Sequence, residues 1–426
     1  MLEFNSETSS VAPGALAGLR ILDLSRVLAG PWVGQLLGDL GADVIKVEQP
    51  GKGDDTRSWG PPFLSDGDKP DDIFSAYYFT CNRNKRSVAI NMALPEGAEL
   101  IRRLAAESDV VIENFKVGSL AKYGLDYPSL RAINPKLVYC SITGFGQDGP
   151  YAPRGGYDFL IQGMGGIMSV TGPAEGSPGS EPTKVGVPVV DLFTGLYAAV
   201  AIQAALIHRN RTGEGQHIDC ALLDTSVAML ANQGMNWLVA EMVAKPMGNA
   251  HPTVVPYRTF EARDGHVIVA VGNDSQFKAL CAMLERPDLG SDPRFLDSPG
   301  RLRHRIALER ELETEIASRS RDWLLQAMVD SGVPGGPINR VDQVFSDPQV
   351  LARGVVESLP GRSGAPMKMV RFPPRLSATP AVIRMLPPSL GEHTGEVLQQ
   401  VLGMEAADLT ALQGGGVIAG QVGCGK

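Results

Sequence analysis

Short apolar runs alternate with helical segments along the first half of the chain, and this alternation limits the possible folds more than any other feature. Residues 19–24 and 41–48 are typical of buried parallel strands, and they flank a helix predicted from Gly30 to about Leu40. A strand, a helix and a second strand in this order form a β-α-β unit, which belongs to a parallel sheet. Further strands are predicted at residues 109–114, 137–142 and 216–221, and further helices at residues 96–107 and 127–133. The sequence therefore predicts an α/β fold with helices on both faces of a mostly parallel sheet.

The pattern changes after residue 143 and again near residue 253. Residues 144–186 are rich in glycine and proline, which is typical of a functional or disordered loop region, and helices are predicted to follow at residues 191–209 and 224–244. From residue 253 onward the sequence predicts a hairpin at residues 257–262 and 266–271, and helices at residues 274–284, 302–317 and from Asp322. We expect a disordered leader (1–15), a large α/β domain (16–247), a small domain (248–340), a return segment that completes the large domain (341–420) and a tail (421–426).

Charge and apolar content exclude several classes of function. The chain has 39 Lys and Arg against 47 Asp and Glu, a formal net charge of −8, and no block of basic residues, so nucleic acid is not expected as the main partner. The longest apolar run, residues 192–207, is shorter than the roughly 18 residues that span a bilayer, so no membrane partner is expected. Cysteine and histidine spacing indicates no metal site. Residues 1–15 contain no Lys or Arg, unlike a secretory signal or a transit peptide, which predicts a cytoplasmic protein, or a mitochondrial matrix protein only if the source is eukaryotic.

Asp191 is the most informative carboxylate because it directly precedes the apolar run, which predicts a buried helix. One interpretation is a helix N-cap, whose carboxylate accepts a backbone N–H. The other is a nucleophile that the positive end of the helix dipole keeps ionised beside an electrophilic carbonyl. The two interpretations are compatible. Asp158, which follows Gly-Gly-Tyr, is a second candidate, although turn chemistry explains an aspartate there equally well.

Basic residues are grouped locally although the protein is acidic. They include Arg57, the segment 83–86, Lys116 and Lys122, and they lie near the predicted ends of strands. Such a group could bind a phosphorylated ligand, and the alternative is an ordinary solvated surface. The glycine-rich fingerprints of dinucleotide and kinase-type phosphate sites are absent from the sequence. At the start of the small domain we expect a mobile lid that contains Gly248, Asn249 and His251.

Longer strings of residues, spread across the chain, carry a resemblance to a known family. They are Arg26-Val-Leu-Ala-Gly-Pro31, Leu37-Gly-Asp-Leu-Gly-Ala-Asp-Val-Ile-Lys-Val-Glu48, Asn82-Arg-Asn-Lys-Arg-Ser87, Glu113-Asn-Phe115, Ser141-Ile-Thr-Gly-Phe-Gly146, Gly156-Tyr-Asp158 and Arg211-Thr-Gly-Glu-Gly-Gln216. These strings resemble the class III CoA-transferases, the formyl-CoA transferase and carnitine CoA-transferase family, and the resemblance covers residues 16–420. Residues 53–63 and 244–260 resemble most the succinate–hydroxymethylglutarate (glutarate) CoA-transferases and related dicarboxylate enzymes.

The resemblance implies an interlocked, ring-shaped homodimer. Each subunit would have a large Rossmann-like, CoA-binding domain built from both chain ends and a small inserted α+β domain. It also implies acyl-CoA and a small carboxylic acid as substrates, no tightly bound cofactor, and Asp191 as the catalytic carboxylate. By the same resemblance the CoA site is lined by Arg26, Val27, Leu28, Gln49, Cys81, Asn82, Arg83, Asn84, Asn114, Phe115, Lys116, Lys122, Ile142, Thr143, Gly144 and Phe145.

The reaction implied by the resemblance is the transfer of CoA from succinyl-CoA, or a similar acyl-CoA, to a small dicarboxylic acid. Tyr157 and the lid would lie near the substrate, and the candidates for binding the second carboxylate of the acceptor are Arg26, Arg57, Arg83 and His251. An α-methylacyl-CoA racemase or isomerase of the same superfamily is an alternative, although Tyr157 stands where racemases have a histidine that moves a proton. A CoA-binding protein without catalytic activity is the other alternative.

Overall fold

The computed structural model describes residues 13–65 and 73–422, which form two compact units. The first unit takes in the described residues of Met1–Ile167, Val185–Met235 and Val355–Lys426, and the second consists of Met168–Lys184 and Asn236–Gly354. The predicted small domain falls inside the second unit, which also includes part of the glycine-rich region. The predicted boundaries need correction, because residues 236–247 and 341–354, expected in the large domain and the return segment, belong to the second unit. Most of the predicted leader and most of the predicted tail lie outside the described residues.

Strands and helices follow one another along the chain in the order that a β-α-β architecture requires. The strands are β1 (Arg20–Asp23), β2 (Asp43–Glu48), β3 (Phe63–Ser65), β4 (Ile73–Ser75), β5 (Lys85–Ile90), β6 (Val110–Glu113), β7 (Val138–Thr143), β8 (His217–Ala221), β9 (Tyr257–Ala262), β10 (Gly265–Ala270), β11 (Gly335–Pro337), β12 (Val356–Pro360), β13 (Pro366–Val370) and β14 (Ile418–Ala419). The helices are α1 (Ala29–Asp39), α2 (Ala76–Thr80), α3 (Pro95–Ala106), α4 (Tyr127–Ile133), α5 (Asp158–Met164), α6 (Ile167–Val170), α7 (Val189–Thr212), α8 (Leu222–Met229), α9 (Ala231–Ala240), α10 (Asp274–Met283), α11 (Pro287–Ser291), α12 (Ser298–Arg303), α13 (Arg305–Ala317), α14 (Arg321–Asp330), α15 (Val341–Val344), α16 (Pro348–Ala352), α17 (Thr394–Leu402) and α18 (Ala406–Gly414).

The core of the first unit is a central sheet. Within the described residues it has seven strands in the order β14-β5-β2-β1-β6-β7-β8, parallel except for β14, which pairs with β5 in the antiparallel sense. One face packs against α1 and α7 through residues such as Val33 and Ile202, and the other packs against α3 and α17 through Ile101 and Val397. The predicted α/β fold with a parallel-dominated sheet is confirmed. Because these strands are parallel, the loops that follow β1, β6, β7 and β8 meet at one edge of the sheet.

The second unit has a core of its own. The predicted hairpin is present as β9 and β10, and β11 extends it to a three-stranded antiparallel sheet within the described residues. Phe260 and Val267 of this sheet pack with Phe277, Leu312 and Leu324, which come from α10, α13 and α14. An antiparallel sheet packed against helices is an α+β arrangement.

Strand β5 of the central sheet is not predicted from the sequence. It begins with Lys85, Arg86 and Ser87, which do not resemble the apolar start of a buried strand. In the structure Lys85 is fully buried because its ammonium is paired with Asp23, at 2.9 Å, and Arg86 is paired with Asp43 on the neighbouring strand β2. These ion pairs, which local sequence does not reveal, allow the charged start of the segment to lie inside the sheet, where β5 pairs with β2.

Two helix predictions need correction. The helix predicted at residues 224–244 is instead α8 and α9, and Ala231, with φ of 45°, interrupts it. Helix α7 was predicted to be buried all round, yet Ala198 and Ile202 are buried whereas Leu196 and Val200 are exposed. By length and composition α7 is the described helix that could cross a membrane, and 44% of its most apolar window is buried; a single helix of this kind is weak evidence for a membrane span.

Loss of one buried cation should destabilise the first unit strongly. Arg83 is buried and forms a two-pronged pair with Asp39, at 2.9 and 2.6 Å. We expect Arg83→Met to lower the free energy of unfolding by about 3–5 kcal/mol, because a buried carboxylate loses its counter-charge. Urea denaturation followed by circular dichroism measures this. The control is Arg102→Met, which removes the more exposed pair with Glu99 and should cost about 1 kcal/mol or less; equal losses in the two variants would contradict the prediction.

Candidate functional site

A cavity of about 390 Å³ opens in the first unit at the carboxyl edge of the central sheet. Its walls come from the loops after β1 and β6, from the end of β7 and from the first residue after β8, which is where open parallel sheets bind ligands. The structure brings the following predicted site residues together in its lining: Arg26, Val27, Leu28, Asn114, Phe115, Lys116, Ile142, Thr143, Gly144, Tyr157 and Asp191. We call this space the reaction cavity.

Asp191 lies in the first turn of α7, and its helix position differs from the predicted one. The helix begins at Val189, so Asp191 is not the N-cap, and the N-cap residue, Pro188, offers no side-chain acceptor. Asp158 takes that role from a distance in sequence, because its Oδ1 accepts hydrogen bonds from the backbone N–H groups of Val190, at 2.8 Å, and Asp191, at 3.2 Å. The prediction that Asp191 caps its helix is therefore wrong, and its own carboxylate is available to the cavity.

The protonation of Asp191 also differs from the expectation that the helix dipole keeps it ionised. Burial, and then the negative charge of Asp158, raise the pKa of Asp191 to about 7. Near neutral pH the carboxyl group is thus divided between its protonated and ionised forms. A carboxylate with a raised pKa is a stronger base and nucleophile when it does ionise.

Tyr77, at the start of α2, interacts electrostatically with Asp191, although it is not part of the lining of the reaction cavity. Burial, and then the charge of Asp191, raise the pKa of Tyr77 to about 12, so its hydroxyl keeps its proton near neutral pH. Its ring packs edge-on against Trp59, with the ring centroids 5.2 Å apart. Nothing in the local sequence distinguishes Tyr77 from a core aromatic residue.

A second cavity, of about 180 Å³, shares Arg26 and Phe115 with the reaction cavity. The guanidinium of Arg26 lies 5.2 Å from the centre of the Phe115 ring and 3.1 Å from a carboxylate oxygen of Asp55. The predicted residue Gln49 lines this second cavity, as does Met92, which the sequence analysis missed.

Other predicted site residues lie away from the lining of either cavity, and most of them are buried. Arg57 pairs with Glu48 at 2.6 Å and stacks on the Tyr78 ring, and Arg83 pairs with Asp39. Their charges are satisfied inside the protein, so neither the phosphate-binding interpretation nor the solvated-surface interpretation describes them. Cys81, Asn82 and Asn84 are likewise buried, and Lys122 and Phe145 lie outside both linings, Lys122 against the Tyr123 ring and Phe145 against Tyr151.

The predicted lid belongs to the second unit. Gly248 and Asn249 line a cavity of about 900 Å³ within that unit. His251 accepts hydrogen bonds from the backbone N–H groups of Thr253 and Val254, and Arg305 donates to its carbonyl oxygen at 2.7 Å. Across residues 13–65 and 73–422, no cluster of three or more His, Cys, Asp or Glu side chains could hold a metal ion.

Comparison with known proteins assigns this site to a class. Residues 16–394 match the family described as CoA-transferase family III. The chain is 50% identical to the succinate–glutarate CoA-transferase of Agrobacterium fabrum, over 91% of this chain and 95% of that protein. It is 41% identical to the succinyl-CoA:glutarate CoA-transferase of Homo sapiens, over 97% of this chain and 91% of that protein. Its fold is similar to that of a CAIB/BAIF family protein from Brucella suis, with a TM-score of 0.81 and 51% identity, over 91% of this chain and 100% of that chain.

A parallel α/β fold with a carboxylate in a cavity at its carboxyl edge, together with these matches, defines a CoA-handling transferase. The chain belongs to CoA-transferase family III, and it is an enzyme that transfers CoA.

The pH dependence of transfer should report the ionisation of Asp191. We expect the logarithm of kcat/KM for CoA transfer to rise with pH and to level off above an inflection near pH 7, because only the ionised carboxylate is nucleophilic. In Asp158→Asn the inflection should move to lower pH, since a neighbouring negative charge is removed while the amide oxygen can still accept the helix N–H groups. Burial of Asp191 should keep the inflection above pH 3.8, the ordinary pKa of an aspartate side chain.

The matched control for this shift is Asp148→Asn, which removes the same charge from an exposed position in the first unit. Its profile should follow that of the wild type. An unchanged inflection in Asp158→Asn, or an equal shift in the control, would contradict the role assigned to Asp158.

Proposed function

We propose that this protein moves CoA from succinyl-CoA to a small dicarboxylic acid, and that Asp191 carries the acyl group and then CoA. The observation that carries the proposal is a carboxyl group with a raised pKa in a cavity at the carboxyl edge of the sheet. The names of the Agrobacterium and human relatives support succinyl-CoA and glutarate as the first substrates to test. Asp191 occupies the position that the family resemblance assigns to the catalytic aspartate.

The proposed reaction begins with attack on the donor. The ionised Asp191 attacks the thioester carbon of succinyl-CoA, which forms an aspartyl–succinyl anhydride and releases the CoA thiolate. The thiolate attacks the aspartyl carbonyl, which gives an aspartyl-CoA thioester and frees succinate. A carboxylate of the acceptor then attacks this thioester and forms a second anhydride, again releasing the thiolate. Attack of the thiolate on the acyl carbon of the acceptor yields the new acyl-CoA and regenerates the Asp191 carboxylate.

Burial of Asp191 suits this sequence of steps. An anhydride or thioester on the enzyme conserves the energy of the donor thioester only if water does not reach it. A carboxylate that is already removed from bulk water loses little hydration when it attacks.

The second carboxylate of the acceptor needs a cation in the reaction cavity. Of the candidates predicted from sequence, Arg26 lines the cavity, whereas Arg57 and Arg83 are held in buried pairs. Lys116 and Arg154 also line the reaction cavity, and the Arg154 guanidinium lies 5.1 Å from the Phe145 ring centre and 4.7 Å from that of Tyr151. These three cations are the proposed binding groups for the phosphates of CoA and the remote carboxylate of the acid.

Replacement of the carrier carboxylate should abolish transfer without loss of CoA binding. We expect Asp191→Asn to reduce transfer from succinyl-CoA to glutarate to background, while isothermal titration calorimetry shows CoA binding and circular dichroism shows an intact fold. In the wild type, hydroxylamine added after succinyl-CoA should convert Asp191 to a hydroxamate, which mass spectrometry of its peptide detects.

Two results would contradict this reaction. Substantial turnover by Asp191→Asn would remove the aspartate from the mechanism. Deuterium incorporation at the α-carbon of a branched acyl-CoA, without transfer to any acid, would instead favour the racemase alternative. The control variant is Asp148→Asn, which should transfer CoA as the wild type does.

We also propose that the protein is a homodimer. The exposed face of α7 carries Phe193, Leu196, Tyr197 and Val200, which recur at the three- and four-residue spacing of one helix side. A row of large apolar residues on one exposed helix face marks a protein–protein interface more often than solvent-exposed surface. A second copy of this chain is the partner that the family resemblance favours.

A charge on the exposed face of α7 should dissociate such a dimer. Val200 is 65% exposed in the isolated chain, so Val200→Glu should leave the fold intact while placing a carboxylate in the interface. Sedimentation velocity should then give the mass of a monomer, whereas the wild type gives twice that mass. Val329→Glu, at a similarly exposed valine on α14, is the control and should stay dimeric. A monomeric wild type would contradict the proposal.

A further inference from the structure

The loop between β1 and α1 has a backbone conformation that its sequence does not favour. Val27 has φ of 72°, in the left-handed region, where a β-branched side chain is a genuine outlier. This loop supplies Arg26, Val27 and Leu28 to the lining of the reaction cavity. Surrounding groups must therefore hold the loop in place, since the intrinsic preference of valine opposes this conformation.

The backbone of the loop is bonded to the protein at successive residues. Lys46 donates to the carbonyl oxygen of Ser25 at 2.9 Å, and the N–H of Val27 points to both carboxylate oxygens of Asp54, each at 3.3 Å. The side chain of Asn114 bonds both polar backbone groups of Arg26, at 2.8 and 2.6 Å. The left-handed conformation at Val27 is thus enclosed between contacts to Lys46, Asn114 and Asp54.

Lys46 and Asp54 are themselves an ion pair, with Nζ and Oδ2 2.9 Å apart and both side chains fully buried. The two N–H···O contacts from Val27 are long, so Asp54 is held mainly by Lys46 and by Thr56, whose backbone N–H and hydroxyl donate to Oδ1 at 2.9 and 2.7 Å. A buried ion pair contributes little net stability compared with apolar residues of the same volume, because both charges lose their hydration. Its contacts with the loop suggest a different use.

We propose that the buried Lys46–Asp54 pair is a positioning device for CoA transfer: it holds Val27 in its left-handed conformation so that Arg26, Val27 and Leu28 shape the reaction cavity. This inference rests on the proposed function of that cavity. Lys46 and Asp54 line the second cavity and not the reaction cavity, and both side chains are fully buried, so they act on the reaction cavity through the loop backbone, as positioning residues.

The pair keeps its charges throughout the pH range in which Asp191 titrates. Burial alone would raise the pKa of Asp54, but the charge of Lys46 and the hydrogen bonds from Thr56 outweigh it and lower this pKa to about 2. The charges of Asp54 and Asp23 raise the pKa of Lys46 above its usual range despite its burial. Loss of the pair should therefore reduce transfer equally across that range and leave the Asp191 inflection in place.

The test replaces the pair and then relieves the strain at Val27. We expect the double variant Lys46→Met/Asp54→Asn to lose about 100-fold in kcat/KM, the loss typical of a small misplacement of a binding segment. Addition of Val27→Gly to the double variant should raise kcat/KM about tenfold, because glycine adopts positive φ without the steric cost of a side chain. If the pair only stabilised the fold, this third substitution would raise kcat/KM no more than relief of strain elsewhere in the protein.

The matched control is Glu285→Gly, which relieves the same kind of strain at an exposed residue of the second unit, with φ of 61°. It should leave wild-type transfer unchanged and should not restore the double variant. Failure of Val27→Gly to restore transfer, or equal restoration by Glu285→Gly, would overturn the positioning role.

Two further measurements keep the outcome decisive. If the double variant does not fold, Asp54→Glu keeps the charge but displaces the carboxylate by one methylene, and the same comparison with Val27→Gly applies. Titration calorimetry with CoA alone should show weaker binding in the variant and recovery with Val27→Gly. A wild type that binds CoA without transferring it would overturn the proposed function, and the calorimetric comparison would then decide the positioning role separately.

Discussion

Burial of opposite charges behind the reaction cavity is the interaction on which the site depends. Asp23 and Lys46 belong to the central strands, and Lys85 and Asp54 reach them from β5 and from the loop after β2. Each charge is stable in the interior only because its partner lies within about 3 Å, so removal of one would strand the other without hydration. This mutual dependence holds the ends of strands, the first loop and the start of α1 in one arrangement.

The carboxyl group of Asp191 is buried in a different electrostatic environment. Burial, and then the negative charge of a second carboxylate, Asp158, raise the pKa of this carboxyl group. Burial of a carboxyl group that is hard to ionise lowers the stability of the fold. Such groups are typical of functional sites rather than of structural ion pairs. The same chain thus treats buried carboxylates in two ways: Asp23 and Asp54 are neutralised by lysines, and Asp191 remains available for a covalent bond.

Much of the fold could be predicted from the sequence because buried parallel strands appear as continuous apolar runs, as at β1, β6 and β7. Strand β5 could not be predicted from the sequence, since its lysine and arginine become buried only through partners distant in sequence. Asp191 could be singled out by its position before an apolar run of residues, and its catalytic role followed from the family resemblance. The electrostatic interactions of Asp191 with Asp158, which caps the start of α7, and with Tyr77 depend on tertiary structure. Arg57 and Arg83 resembled ligand-binding cations because a sequence does not show which carboxylates they meet.

Transfer of an oxygen atom from the acceptor to the Asp191 carboxylate is the most direct test of the proposed reaction. If Asp191 forms an anhydride with the acceptor and is released when CoA attacks the acyl carbon, it keeps one carboxyl oxygen from the acceptor. Turnover of succinyl-CoA with glutarate labelled with oxygen-18 should therefore place heavy oxygen in the peptide that contains Asp191, as mass spectrometry detects. Complete transfer of CoA to labelled glutarate, with no label in that peptide, would contradict the account.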